Sequence, residues 1–491
     1  MGGKFSIRRV VRGGFWLYAT SLTGSILGFL YWLVISKFTE PETLGYATTT
    51  TSIASLLTGV FSLGVARGMQ RFIGIYLGRR DLDKVAEYLW SAFTFYACVY
   101  SLIAVSLASI SFFNIGLDPY MLFLAALMIV GGAGVAFNSF LIAILRTDIN
   151  FLVSLVAGSL KFIVGVSLVI AGWGWVGATI GYLVASWTSL FLNGFFVYRF
   201  VGKPPFFSFD ALKDSIIAGV AGWAPGVIVL VGQQVGLLTV FGVSGALESG
   251  LYYVATAISS VVLVFATSML GLLFPVLSGM RDGRKRATAR VLKISLAACS
   301  PAVAFTVVYP WLPLGLLGPN YIQASAMLQL LVVAVIPLAI TSAVNSLVYA
   351  YGDYLKVFVI GSMQNIPRLA LYSFLVPFLG GLGAALSFTT GAILGMITAT
   401  VIAEISGFKI NFKELALTVA PPLLTGVLAY FLNLHWLIGG SLILFLSLFL
   451  YAKLNIVTRE DLKDIAHALM PGLVLNKTAE WVKPLLDLLY G

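Results

Sequence analysis

Apolar runs of 18 or more residues recur from Phe15 to Phe449, and each is long enough to cross the roughly 30 Å hydrocarbon core of a bilayer as a helix. That repetition excludes a water-soluble fold. The 491 residues are 59% hydrophobic and 10% charged, well outside the roughly 45–50% apolar content of soluble domains. A membrane β-barrel would need strict polar–apolar alternation in short segments, and the runs show none. The chain therefore reads as an all-α polytopic membrane protein. Phe15 to Ser36 is too long for the apolar part of a cleavable signal and continues into further spans, so the first helix is expected to stay and act as its own signal.

Fourteen spans are predicted: 13–36, 43–66, 85–111, 119–145, 149–171, 176–198, 215–240, 250–279, 291–310, 323–350, 355–377, 383–406, 415–433 and 438–453. The net charge of +11 could suggest nucleic acid, but the tendency of Lys and Arg to stay in cytoplasmic loops explains it better. With the N-terminus inside, 27 of the 30 basic residues fall on the cytoplasmic side and only Lys37 lies in an external loop, beside Glu40, Glu42, Asp118 and Glu248. The expectation is a plasma-membrane protein with both termini cytoplasmic.

Landmarks recur at a spacing near 205 residues. Gly45-Tyr46 recurs as Gly250-Leu251-Tyr252, Arg79-Arg80-Asp81 as Met280-Arg281-Asp282, Arg146-Thr147-Asp148 as Tyr351-Gly352-Asp353, and Gly177-Ala178 as Gly383-Ala384. Two parallel-repeat six-helix lobes follow, related by an axis along the membrane normal because six crossings return the chain to the same side. The expected organisation is residues 1–200 as an N-terminal lobe, 201–410 as a C-terminal lobe, 411–454 as two additional helices, and 455–491 as a cytoplasmic tail. Thr458-Arg459-Glu460-Asp461 would open a short amphipathic helix in that tail, with Leu462, Ile465 and Leu469 on one face.

Two cations lie deep within spans, where a charge costs at least ~2.5–3.5 kcal/mol on insertion scales. They are Lys161 in the fifth span and Arg368 in the eleventh, repeat partners of each other. They are expected to line a hydrated cavity between the lobes and to hold an anionic substrate group; the plainer reading is a structural cation bonded to backbone carbonyls or amides. Gln364 and Asn365 sit beside Arg368, Asn138 and Asn345 are repeat equivalents, and Gln233 and Gln234 lie within the seventh span. Such amides bind ligands or bridge helices. Gly222, Pro225 and Gly226 should bend the seventh span. Arg67 and Arg71 close the second span, either as cytoplasmic anchors or as a phosphate-attracting vestibule.

Catalytic signatures are missing: the sequence has no Walker loop, no HExxH and no paired acids in one span, and a non-enzyme without a cofactor is expected. His435 and His467 are isolated, with no zinc spacing nearby. Cys98 and Cys299 lie in apolar spans and are expected to be buried free thiols.

Several segments together resemble the polysaccharide flippases, the Wzx-like branch of the superfamily that also holds the MATE drug exporters and the lipid II flippase MurJ. They are Glu40-Pro41-Glu42-Thr43-Leu44-Gly45-Tyr46, Phe61-Ser62-Leu63-Gly64-Val65 leading to Arg67, Leu247 to Tyr252, Asn365 to Gly391 with its Gly380-Gly381-Leu382-Gly383 turn, and Thr458 to Leu462. The resemblance implies two lobes around a cavity that opens alternately to either face and carries a lipid-linked oligosaccharide, with membrane lipids around a monomer and H+ or Na+ as the coupling ion. Relatives often carry an Asp midway along the seventh span, where this chain has Gln233 or Gln234. An exporter of cationic drugs would want buried acids, which the N-terminal lobe lacks. A lipid II flippase would want several arginines in the first two spans and the eighth, and spans one and eight have none. A non-transporting scaffold would have no use for the repeat or the buried cations.

Overall fold

Long apolar segments without polar–apolar alternation leave the backbone one way to satisfy its N–H and C=O groups away from water, the α-helix. The computed structural model describes residues 7–113, 116–202, 206–280, 282–454 and 456–458, and among these no strand occurs. The N-terminal helices are α1 (Ile7–Ile35), α2 (Pro41–Val60), α3 (Val65–Arg79), α4 (Leu82–Ile110), α5 (Pro119–Gly131), α6 (Val135–Ala143), α7 (Thr147–Leu168) and α8 (Gly174–Val201). They are followed by α9 (Phe209–Gly279), α10 (Arg284–Val308), α11 (Trp311–Gly315), α12 (Ser325–Val333), α13 (Val335–Ala350), α14 (Tyr354–Ile405), α15 (Phe412–Phe431) and α16 (Trp436–Lys453). The protein is a multi-pass membrane protein. The expected tail helix lies outside the described residues.

Among the described residues nine helical stretches are long and apolar enough to cross a membrane, ten with the bent α2–α3 pair. Three of them, 147–201, 222–264 and 354–405, hold 55, 43 and 52 residues, and each is broken by a glycine with positive φ: Gly172 and Gly174, Gly245, and Gly380. At 1.5 Å per residue each is about twice the length one crossing needs. Divided at those glycines, and with α1 included, the helices follow the fourteen expected spans. One element departs from expectation. The second span does not end at residue 66 but turns by 52° and continues as α3 to Arg79. Leu63 (φ 46°) and Gly64 (φ 70°) make the turn, and Tyr96 secures it, its hydroxyl accepting from Ala66 N at 2.8 Å and donating to Ser62 O at 3.2 Å.

The described residues form two compact units. One comprises residues up to 253 with 316–321 and 369–384, the other 254–315 with 322–368 and those from 385 onward. The first has a core of α2–α6 side chains around Met69, Leu89, Tyr96, Phe137 and Phe140. Small residues bring its backbones together: a Cβ at Gly45 would lie 1.9 Å from Ala246 O, and one at Gly68 1.8 Å from Ser215 O. In lipid, where apolar surface gains little by burial, such close approach is what holds helices side by side. In the second unit α10 packs on α13, α15 and α16. Tyr451 OH donates to Thr418 O at 2.9 Å, and Tyr309 OH to Leu434 O at 3.0 Å. Cys299 is buried as expected, but Cys98 is exposed on α4; its place in an apolar span put it on the face turned outward.

Candidate functional site

Lys161 is 9% exposed on α7. Its Nζ lies 4.4 Å from the centroid of the Tyr182 ring of α8 and 5.0 Å from that of Tyr31 of α1. No ion pair holds it among the described residues. Ring faces attract a desolvated cation by about 2 kcal/mol or more, so the two tyrosines offset part of the cost of burial. Tyr31 is fixed in turn, donating from its hydroxyl to Ala178 O at 2.6 Å. Glycine makes room for it: a Cβ at Gly165 would lie 2.2 Å from the Tyr31 hydroxyl, and one at Gly181 2.5 Å. Trp32 and Tyr253 extend the aromatic wall, with Trp32 5.8 Å from Tyr182 and 5.6 Å from Tyr253.

Arg368 is 1% exposed on α14. Its Nη1 donates to Asn365 Oδ1 at 3.1 Å and its Nη2 to Phe388 O at 3.3 Å, while its Cζ stands 4.0 Å over the Phe388 ring. Asn365 is itself held, donating from Nδ2 to Gly361 O at 2.8 Å. The second limb of α14 approaches through glycine, since a Cβ at Gly391 would lie 2.9 Å from Arg368 Nε and one at Gly395 2.9 Å from the Gln364 side chain. Arg368, Asn365 and Gln364 thus form one cluster inside the second unit. Lys161 and its tyrosines form another inside the first.

The remaining predicted residues are more scattered. Asn138 is exposed on α6 and its carbonyl accepts from Asn150 Nδ2 at 3.3 Å. Asn345 is half-buried on α13, its Oδ1 without a hydrogen-bond partner among the described residues. Gln233 is exposed and Gln234 half-buried on α9, next to Gly232, whose carbonyl accepts from Tyr372 OH at 3.2 Å. The backbone stays helical through Pro225, and Gly245 is where α9 breaks. Arg67 donates from Nη1 to Gly222 O, and the Arg71 Cζ lies 6.0 Å from the Phe72 ring. Sequence reasoning missed the tyrosine cage, because its two rings come from α1 and α8 and meet the lysine on α7, and it missed Phe388. It also missed Glu248 as a cap: its Oε2 accepts from Gly381 N at 3.1 Å, where the second limb of α14 begins. An acid before a glycine turn at the matching end of the repeat was the available signal.

Local geometry recurs at the repeat spacing. Gly174 has φ 50° and ψ −131°, and Gly380 has φ 55° and ψ −134°. Before α7, Leu145 N donates to Ile142 O and Arg146 N to Leu141 O; before α14, Gly352 N donates to Tyr349 O and Asp353 N to Val348 O.

A family model described as "Polysaccharide biosynthesis protein" matches residues 10–281. No curated protein sequence matches the chain significantly. Among solved structures the fold is shared with the lipid II flippase MurJ in an inward closed conformation, at 14% identity and a TM-score of 0.72 over 90% of this chain and 98% of that one. An inward-facing multidrug resistance MATE family transporter of the MOP superfamily matches at 15% identity and a TM-score of 0.62 over 77% and 94%. A MOP superfamily transporter from Pyrococcus furiosus, described as having a binding pocket of reversed polarity that suggests a different function, matches at 14% and 0.57 over 81% and 95%. At these identities the likeness is one of fold.

Proposed function

The chain belongs to the polysaccharide biosynthesis protein family, and from that membership we propose that it is a flippase, carrying a lipid-linked oligosaccharide across the cytoplasmic membrane by alternating access. The observation that carries this reading is the union of that family with a multi-pass fold shared with a lipid II flippase. A protein of glycan assembly with most of its length in membrane helices, and without a catalytic signature in its sequence, serves the pathway by moving an intermediate. The unaided step is slow because sugar hydroxyls and a phosphate or pyrophosphate must enter hydrocarbon, at several kcal/mol for each unpaired polar group. A polar, cationic path lowers that barrier.

In this reading Lys161 and Arg368 supply the positive charge, and Asn365, Gln364, Asn138, Asn345, Gln233, Gln234, Arg67 and Arg71 the polar lining. Lys161 supports it through its setting, an ammonium held by neutral rings with no carboxylate among the described residues to compete with an incoming anion. Arg368 adds a planar fork that suits two phosphate oxygens, and it would take them by giving up its bonds to Asn365 Oδ1 and Phe388 O. The two-lobe repeat belongs to the same proposal, and the matched torsions at Gly174 and Gly380 support it.

The test is flipping in vesicles reconstituted with the purified protein, using a fluorescent polyprenyl-pyrophosphate oligosaccharide alongside lipid II and a cationic dye. Protein-dependent movement of the oligosaccharide is expected, reduced more by Arg368→Gln than by Arg368→Lys. Movement of the dye without the oligosaccharide would make the protein an exporter, and movement of lipid II alone would shift it to peptidoglycan assembly.

A further inference from the structure

The turn between α6 and α7 and the last turn of α8 together enclose a cleft of about 350 Å³, bounded by Arg146, Asp148, Arg199 and Phe200, with Leu152 and Phe196 on its apolar wall. All of them lie in the first unit. Leu145, at φ 59°, turns the chain so that Arg146 becomes the N-cap of α7, and Arg199 falls in the last turn of α8. Arg146 Nε donates to Asp148 Oδ1 at 3.1 Å, and its Cζ lies 5.1 Å from the Phe200 ring. Arg199 has no ion pair among the described residues; its Cζ rests 5.3 Å from the ring of Phe195. The cleft thus carries two guanidinium groups, one of them bonded to its single carboxylate, and it lies at the N-terminus of α7, the positive end of that helix's dipole.

The polar rim stands on an apolar surface. Leu152 is 49% exposed and Phe200 36%, on helices whose outward residues must meet lipid. A small soluble anion would gain nothing from that wall, whereas a phosphate bearing an acyl chain gains from both parts. We propose that this cleft seats the headgroup phosphate of an anionic phospholipid, gripped by Arg146 and Arg199, with an acyl chain descending along Leu152 and Phe196. Neither of the clusters around Lys161 and Arg368 takes part, so the site stands apart from the transport reading.

Native mass spectrometry of the full-length protein in detergent, titrated with phosphatidylglycerol, phosphatidylcholine or inorganic phosphate, tests this. The wild type is expected to retain phosphatidylglycerol in preference to phosphatidylcholine. Arg199→Gln, which removes no ion pair among the described residues, should weaken that binding roughly fivefold with the unfolding midpoint unchanged, and Arg146→Gln with Arg199→Gln roughly thirtyfold. Leu152→Glu, with both arginines kept, should weaken it as well. Equal retention of phosphatidylglycerol by wild type and Arg199→Gln would overturn the proposal, as would equal retention of the two lipids. Displacement of the lipid by millimolar inorganic phosphate would assign the cleft to a soluble anion and overturn it too.

Discussion

At the scale of single residues, Lys161 and Arg368 were legible because hydropathy makes any cation inside an apolar run conspicuous. What surrounds them was not legible. The Lys161 cage joins Tyr31 and Tyr182, far apart in sequence and brought together by the packing of α1 and α8 on α7, and no local pattern marks that meeting. The cage yields a separation of roles. A buried cation without a carboxylate partner costs stability even when rings compensate in part, so Lys161→Met, similar in length and apolar, should leave thermal unfolding in detergent unchanged or raise its midpoint. The same variant should lose flipping in vesicles. Unfolding of Lys161→Met would instead make the lysine a structural member of the bundle. Gly165→Ala probes the seat of the cage: its methyl would press on the Tyr31 hydroxyl, and overpacking of this kind costs about 1–3 kcal/mol, readable by chemical denaturation.

At the scale of elements, the spans were legible from length and apolarity, and the break in α14 from its Gly380-Gly381 turn; the breaks at Gly172 to Gly174 and at Gly245 showed only as gaps between predicted spans. The continuation of the second span as α3 was not, because Arg67, Arg71, Arg79 and Arg80 read as a cytoplasmic loop, whereas the first three ride on a helix with an apolar face of Val65, Met69 and Ile73 and Arg80 caps its end. Gly174 and Gly380 occupy a backbone region that side chains other than hydrogen enter at a cost of about 1–3 kcal/mol. Alanine at either should destabilise by that amount, and at Gly380 it would also crowd the Glu248 carboxylate, 3.3 Å from the new carbon. Gly361→Ala, a helical position with open space around it, should be neutral or stabilising by up to about 1 kcal/mol. The start of α14 carries a pH dependence. Asp353 caps Lys356 N and pairs with the Lys356 ammonium at 2.8 Å, and the hydrogen bond from that ammonium holds its carboxyl below the usual range. A carboxyl depressed on folding favours the folded state above the ordinary carboxylate range and loses that contribution as pH falls through its lowered value. Asp353→Asn keeps the cap and removes the charge, so the gap in unfolding midpoint between wild type and variant should be constant near neutral pH and close on acidification.

At the scale of the whole molecule, the distribution of charge argues for one orientation in the membrane. Moving the inner loops to the outer face would carry 27 basic residues past the hydrocarbon core and leave Glu40, Glu42, Asp118 and Glu248 inside, against the bias that governs insertion. The prediction is that both termini and the Arg284–Lys293 segment are cytoplasmic while Lys37 faces out. Lys37 and Arg286 are both exposed in the structure, so a cysteine at either is open to reagent and costs no packing. With Cys98 and Cys299 replaced by alanine, an impermeant maleimide on intact cells should label Lys37→Cys and should reach Arg286→Cys only after the membrane is permeabilised. The opposite pattern would invert the topology. It would also undo the lipid site, because Arg146 shares the inner side in this arrangement and Arg199 follows the next inward crossing. The cytoplasmic leaflet carries the anionic lipids that attract such residues, so a cleft with two guanidinium groups on that side is placed where its ligand is concentrated, whereas the same cleft turned outward would face a leaflet that offers it little.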